Sequence, residues 1–172
     1  FRSENWVYGT VNALEGKFPG NNYADLVPNT DLAKDPTFEI AADSEVEESW
    51  IVAKVSGLNA LKDEGVSVSA VAEGNKWLVL DSLDATTVPT VNATVNTYTK
   101  DADGTVYLIY SQKVAKGATT DPLFTTMHVG DTVTADNMNL DIKGVAVQAL
   151  NNSTLDNATL QQILEAAEAK LG

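Results

Sequence analysis

A single histidine, His128, limits the chemistry open to this chain. A zinc site or a zinc-protease helix needs several imidazoles or thiolates, and the chain has no cysteine. A Ser-His-Asp triad would have to recruit His128. The nearest approach to a nucleophile elbow, Gly65-Val66-Ser67-Val68-Ser69, carries serine where the motif's last glycine belongs. His128 therefore reads as a surface strand residue. Oxygen ligands are better supplied, by the acidic string Asp43, Glu45, Glu47 and Glu48 and by Asp101 and Asp103 in a turn. Neither string has the spacing of a calcium-binding EF-hand loop, so a solvated edge and a plain turn are expected. Asp101 and Asp103 remain the metal candidates, and calcium the one cofactor the acidic surface could attract. No glycine-rich phosphate loop is present. No residue is assigned a catalytic or cofactor-binding role, and the chain reads as a non-enzyme. The sequons at Asn92, Asn151, Asn152 and Asn157 permit glycosylation only in an organism that glycosylates.

Composition narrows the partners. The chain of 172 residues has the size of one domain and can bury roughly 70% of its unfolded surface. Eleven basic against twenty-four acidic residues leave a net charge of −13, which repels nucleic acid. The longest apolar runs, such as Trp77 to Leu80, fall far short of the ~20 residues of a membrane span. A domain this long can be exported without disulfides because its core suffices. A start at Phe1 fits removal of an export signal, or trimming.

The elements that must position any site are mostly strands. Asn5 to Leu14 alternates, with Val7, Gly9, Val11 and Ala13 on one face and Trp6, Tyr8, Thr10 and Asn12 on the other. Glu15 to Asn29, rich in Gly, Pro and Asn, reads as a loop. Thr37 to Ala41 and Glu48 to Ser56 follow, the latter with Trp50 and Val52 on one face and Ile51, Ala53 and Val55 on the other. Leu58 to Glu64 is a helical turn or an irregular connection. Val66 to Ala72 and Lys76 to Asp81 read as one hairpin around Gly74-Asn75. Val91 to Tyr98 and Thr105 to Tyr110 read as another, around Asp101-Ala102-Asp103-Gly104. Leu123 to Val129 is a short strand. In Leu140 to Leu150 the apolar phase slips at Lys143-Gly144, which predicts a β-bulge at Gly144. A terminal helix carries Leu160, Ile163, Leu164, Ala167 and Leu171 at helical spacing, with Asp156 as its N-cap. The expected fold is all-β: a two-sheet antiparallel sandwich of jelly-roll type with one C-terminal helix.

Several stretches, in order, resemble one family. Leu26-Val-Pro-Asn-Thr-Asp-Leu-Ala-Lys-Asp-Pro-Thr-Phe-Glu-Ile is similar to an "L-x-P-G-x-x-x-x-K-D-P-x-v-x-v" stretch, and Trp50-Ile-Val-Ala-Lys-Val to the strand "Y-V-F-V-K-V" that follows it. Asp103-Gly-Thr-Val-Tyr-Leu-Ile-Tyr and then Val114-Ala-Lys-Gly-Ala-Thr-Thr-Asp-Pro-Leu-Phe resemble "D-G-x-x-Y-Y-Y…v-L-k-p-G-e-t-t-x-P-L-F". Asp141-Ile-Lys-Gly-Val-Ala-Val-Gln resembles "f-d-I-x-v-x-A-x-A-v-Q-A". These matches span residues 5 to 150 and resemble the SipW-dependent, TasA- and camelysin-like secreted proteins of Gram-positive bacteria. Asn29 stands where the pattern has glycine, Trp50 where it has tyrosine, and Leu140 where it has phenylalanine.

The resemblance implies an exported jelly roll that builds extracellular, biofilm-matrix-type fibres by passing an N-terminal strand into the neighbouring subunit. On that reading residues 1–14 are the donor strand, 15–29 the connector, and 30–172 the sandwich with its helix over 156–171. The partner is a second copy, head to tail, and Phe1, Trp6, Val7, Tyr8, Gly9, Val11 and Ala13 are the interface residues. An exchanged strand would satisfy the neighbour's unpaired edge by β-augmentation. Pairing of the same strand within its own chain is the ordinary alternative. A secreted carbohydrate- or surface-binding sandwich, or a camelysin-like protease, are the other readings. The first needs exposed aromatics among Trp50, Trp77, Tyr107 and Tyr110, and the second a metal site that the residues do not supply.

Overall fold

A strand with apolar residues in both phases must be covered on both faces, and residues 48–56 are such a strand. The computed structural model describes residues 8–9, 11–14, 22–24, 27–99, 104–132, 137–150 and 152–171, with the backbone alone for residues before 27 and for 137–139. In chain order the strands are β1 (Tyr8–Gly9), β2 (Val11–Leu14), β3 (Asn22–Ala24), β4 (Thr30–Ala33), β5 (Thr37–Ile40), β6 (Glu48–Ser56), β7 (Val66–Ala70), β8 (Trp77–Leu80), β9 (Val106–Tyr110), β10 (Val114–Ala115), β11 (Thr126–Val129), β12 (Asn137–Asn139) and β13 (Asp141–Gln148). The helices are α1 (Leu58–Asp63), α2 (Val95–Thr99) and α3 (Asn157–Leu171).

The described strands all pair antiparallel. One sheet runs β1-β13-β6-β9-β8, with β10 continuing alongside β6. Facing it are the strands β4-β11-β7 and the pair β2-β5, while β12 and β3 form a separate ribbon. The space between the layers holds Phe38 and Ile40 of β5, Ile51, Ala53 and Val55 of β6, Val66 and Val68 of β7, and Trp77 of β8. The other face of β6 and β13, with Trp50, Val52, Val145 and Val147, is covered by Leu160, Ile163, Leu164 and Ala167 of α3. The fold is thus an antiparallel β-sandwich with a C-terminal helix on the outside of one sheet.

Both ends of α3 are tied down. Asp156 Oδ1 accepts the Thr159 amide at 2.8 Å, the expected N-cap bond, and that N–H holds the Asp156 carboxyl below the usual carboxylate range. The Val88 amide donates to Asn157 Oδ1 at 2.9 Å. At the far end Lys54 Nζ reaches from β6 to the Leu171 carbonyl at 3.3 Å, placing a cation at the negative end of the helix dipole.

Over residues 121–124 the chain enters the core without regular structure, and three of its carbonyls are met by side chains. Trp77 Nε1 donates to the Asp121 carbonyl at 2.8 Å, Asn75 Nδ2 to Pro122 at 2.6 Å, and the Tyr98 hydroxyl to Leu123 at 2.8 Å. Burial pushes the Tyr98 phenol far above its ordinary range, so it remains a neutral donor. Leu123 and Phe124 are fully buried, and the strand expected from Leu123 begins only at Thr126.

Four other expectations change. Val66–Ala70 and Trp77–Leu80 do not form a hairpin: the turn at Gly74, whose φ is 71°, carries the chain from one layer to the other, so β7 pairs with β11 and β8 with β9. Both strands still send apolar residues into the same core. The strand expected over Val91 to Tyr98 is a short bridged stretch followed by a helix. The Thr94 amide donates to Thr97 Oγ1 at 3.2 Å, and this local side-chain bond starts α2 in a β-branched segment. With α2 in that place, β9 pairs with β6 and β8 instead. Within the expected 15–29 loop, Asn22–Ala24 pairs with Asn137–Asn139.

The bulge at Gly144 is absent. The β13–β6 register runs unbroken from Asp141↔Ser56 to Gln148↔Ser49. The two apolar phases are the two faces of one strand: Leu140 and Ala146 face the inter-layer core, Val145 and Val147 the helix. Gly144 is required by packing, since a Cβ there would stand 2.5 Å from Phe38 Cε1. Gly144→Ala should therefore lower unfolding free energy in urea by about 1–3 kcal/mol, and combining it with Phe38→Leu should recover part of that loss. Equal stability of Gly144→Ala and the parent would contradict this packing.

Candidate functional site

Residues 8–9 and 11–14 are divided between two sheets. β1 lies along β13 with Tyr8↔Val147 and Gly9↔Ala146, whereas β2 lies along β5 with Val11↔Ile40, Asn12↔Glu39, Ala13↔Phe38 and Leu14↔Thr37. One N-terminal segment thus completes an edge in each layer of its own chain. Of the expected interface residues, Tyr8, Gly9, Val11 and Ala13 are placed on these edges by their backbone. Phe1, Trp6 and Val7 lie outside the described residues, as do Asp101 and Asp103.

The receiving edge on β5 has a defined chemistry. Ile40 N donates to Ala118 O at 3.0 Å, Gly117 N to Ile40 O at 2.7 Å and Thr120 N to Phe38 O at 2.8 Å. Because backbone groups alternate sides along a strand, Phe38 and Ile40 are spent on residues 117–120, and Thr37 and Glu39 face β2. Phe38 and Ile40 are fully buried and seat this edge in the core. What this edge offers β2 is main-chain pairing.

The other sequence candidates are dispersed. His128 Nδ1 lies 2.8 Å from Asp31 Oδ1, with the two side chains 43% and 64% exposed. The register also sets His128 opposite Ser67, so Asp31, His128 and Ser67 form a row across β4, β11 and β7. No hydrogen bond joins Ser67 to His128, and a nucleophilic serine depends on that bond. No local pattern points to the Asp31 partnership, because 97 residues separate the two. Among the described residues no group of three His, Cys, Asp or Glu is placed to hold a metal ion, and no helix is long and apolar enough to cross a membrane.

Of the four aromatic residues considered for glycan stacking, three are turned inward and Tyr107 is half-buried. Trp50, Trp77 and Tyr110 are buried, with Trp77 and Tyr110 packed edge to face at 4.9 Å between ring centres. Among the sequons, the Asn92 amide nitrogen is engaged with the Asn75 carbonyl at 2.7 Å. Asn152 is exposed in a left-handed turn with φ 59°, Asn157 receives the Val88 amide, and Asn151 lies outside the described residues.

A comparison of the chain with family models, curated proteins and solved structures finds no match. The arrangement at β5 generates its own test. In a chain lacking residues 1–14, hydrogen exchange should accelerate at the Glu39 amide and stay slow at Ile40, whose partner Ala118 is retained. Equal protection of Glu39 in the two chains would show that β2 does not cover this edge.

Proposed function

We propose that this chain is a structural subunit of a secreted, biofilm-matrix-type protein fibre, and that residues 1–14 of one subunit enter the next by donor-strand exchange. The observation that carries the reading is the division of residues 8–9 and 11–14 between the edges of two sheets, by backbone pairing of two residues on β13 and four on β5. A segment held this way can be supplied by a neighbouring copy with the same register. The ladder formed is then the same within one chain or between two, and the balance depends on the connector and on concentration. The order of motifs that resembles the TasA-like pattern supports the same reading, and with it a jelly-roll topology, export to the cell surface and a role without catalysis.

The segment's sequence also suits the part. In backbone register Val11 stands opposite Ile40 and Ala13 opposite Phe38, so apolar residue types are paired with apolar ones along this edge. The net charge of −13 disfavours random association of subunits, which leaves a specific ladder as the means of joining them. Calcium between acidic faces could strengthen such contacts without being part of the fold.

Deletion of residues 1–14 should leave a folded chain that caps fibres rather than extends them. A peptide of residues 3–14 should raise its melting temperature progressively with peptide concentration. Val11→Asp in the peptide should weaken that effect at least about tenfold, because a carboxylate would be set opposite a buried isoleucine. Normal polymerisation of the truncated chain, followed by electron microscopy, would refute the donor role.

A further inference from the structure

A cavity of about 370 Å³ lies where α1 and α2 meet β7 and the end of β11, at the small end of the range of ligand sites, roughly 300–1,000 Å³. Its deep surface is apolar, from the buried residues Leu58, Val66, Val68 and Tyr98. One wall is bare backbone. Gly130 N donates to Gly65 O at 2.7 Å, and a Cβ on Gly130 would come within 3.1 Å of that oxygen, so no side chain fills the space from this side.

The described part of the lining differs in charge from the molecule as a whole. The chain carries 24 Asp and Glu against 11 Lys and Arg, yet among the described residues lining the cavity there is no carboxylate, and Lys62 is the charged one. Lys62 is exposed on the last turn of α1. His128 is held through Nδ1 by Asp31 at 2.8 Å, which fixes the ring and leaves Nε2 for another partner. Ser67, opposite His128 on β7 and also in the lining, adds a hydroxyl donor.

An apolar floor with an ammonium and a hydroxyl beside it is complementary to one kind of molecule. We propose that this cavity binds a small organic carboxylate with an aromatic or branched aliphatic body, the carboxylate meeting Lys62 and Ser67 and the body resting on Val66, Val68 and Tyr98. Neither half suffices alone. A bare anion gains nothing from the floor and is repelled by the net charge, and a neutral apolar molecule leaves the donors desolvated and unpaired. This site is remote in sequence from the N-terminal segment and stands independently of the fibre reading.

Amide chemical shifts of the full chain, titrated with 3-phenylpropionate, 3-phenylpropionamide, acetate and inorganic phosphate, test the proposal. The expected result is saturable shifts at Gly65, Ser67 and Gly130 with 3-phenylpropionate, and binding at least about tenfold weaker for the other three probes. Lys62→Gln, a surface change, should weaken the acid about fivefold or more and leave the amide unaffected. Ser67→Ala should act in the same direction. No saturable shift at these residues up to about 10 mM, equal binding of acid and amide, or unchanged affinity in Lys62→Gln would each overturn it.

Discussion

The structure turns on how an irregular segment, residues 121–124, is buried. Main-chain carbonyls taken from water without a partner are costly, on the order of 1–3 kcal/mol each, and regular pairing is not open to a loop. Three consecutive carbonyls are instead met by Trp77, Asn75 and Tyr98. These donors come from the sheet strand β8, from the turn that crosses between layers, and from α2. The Leu123 amide donates to Pro36 O at 2.9 Å, just before β5. The segment therefore fastens the far edge of one sheet to the strand that seats the other, and Leu123 and Phe124 fill the space between them. The Asp-Pro-Leu-Phe string that stood out in the sequence has a packing role of this kind.

That fastening has a consequence for the edges. Residues 117–120 take one side of β5, residues 91–93 pair with the outside of β8, and α3 covers one face of the central strands. What is left to the N-terminal segment is the second side of β5 and the outer side of β13. A sandwich clamped internally by side-chain donors leaves these two edges to be completed by backbone pairing, and the proposed assembly uses that property.

Legibility followed the range of the forces involved. β6 and α3 could be read almost to the residue, because two-faced burial and a 3.6-residue stripe are written locally, and Asp156 caps where a local rule puts it. The hairpins failed for a physical reason. Gly74 and Gly104 do mark turns, with φ of 71° and 68°, but a turn residue does not say whether the flanking strands pair or part. Val95–Thr99, strand-like in composition, is a helix, with one side-chain bond at its start and a distant site for the Tyr98 hydroxyl. Gly144 looked like a bulge because the ring that needs its space, Phe38, is 106 residues away, on another layer. The row of Asp31, His128 and Ser67, and the cavity beside it, depend on strand register and had no local signal at all.

The central claim is that the segment paired along β5 in a fibre belongs to a neighbouring subunit, and the absence of cysteine makes it directly measurable. Asn12 and Glu39 are register partners facing each other through their backbone groups, a geometry with Cα atoms about 5.5 Å apart that suits a disulfide. A chain carrying Asn12→Cys and Glu39→Cys should be assembled under reducing conditions, oxidised as fibres and run on a denaturing gel without reductant. Exchange predicts a ladder of covalent oligomers that collapses to monomer on reduction. Oxidised monomer alone, with the disulfide closed inside each chain of a well-formed fibre, would contradict the account.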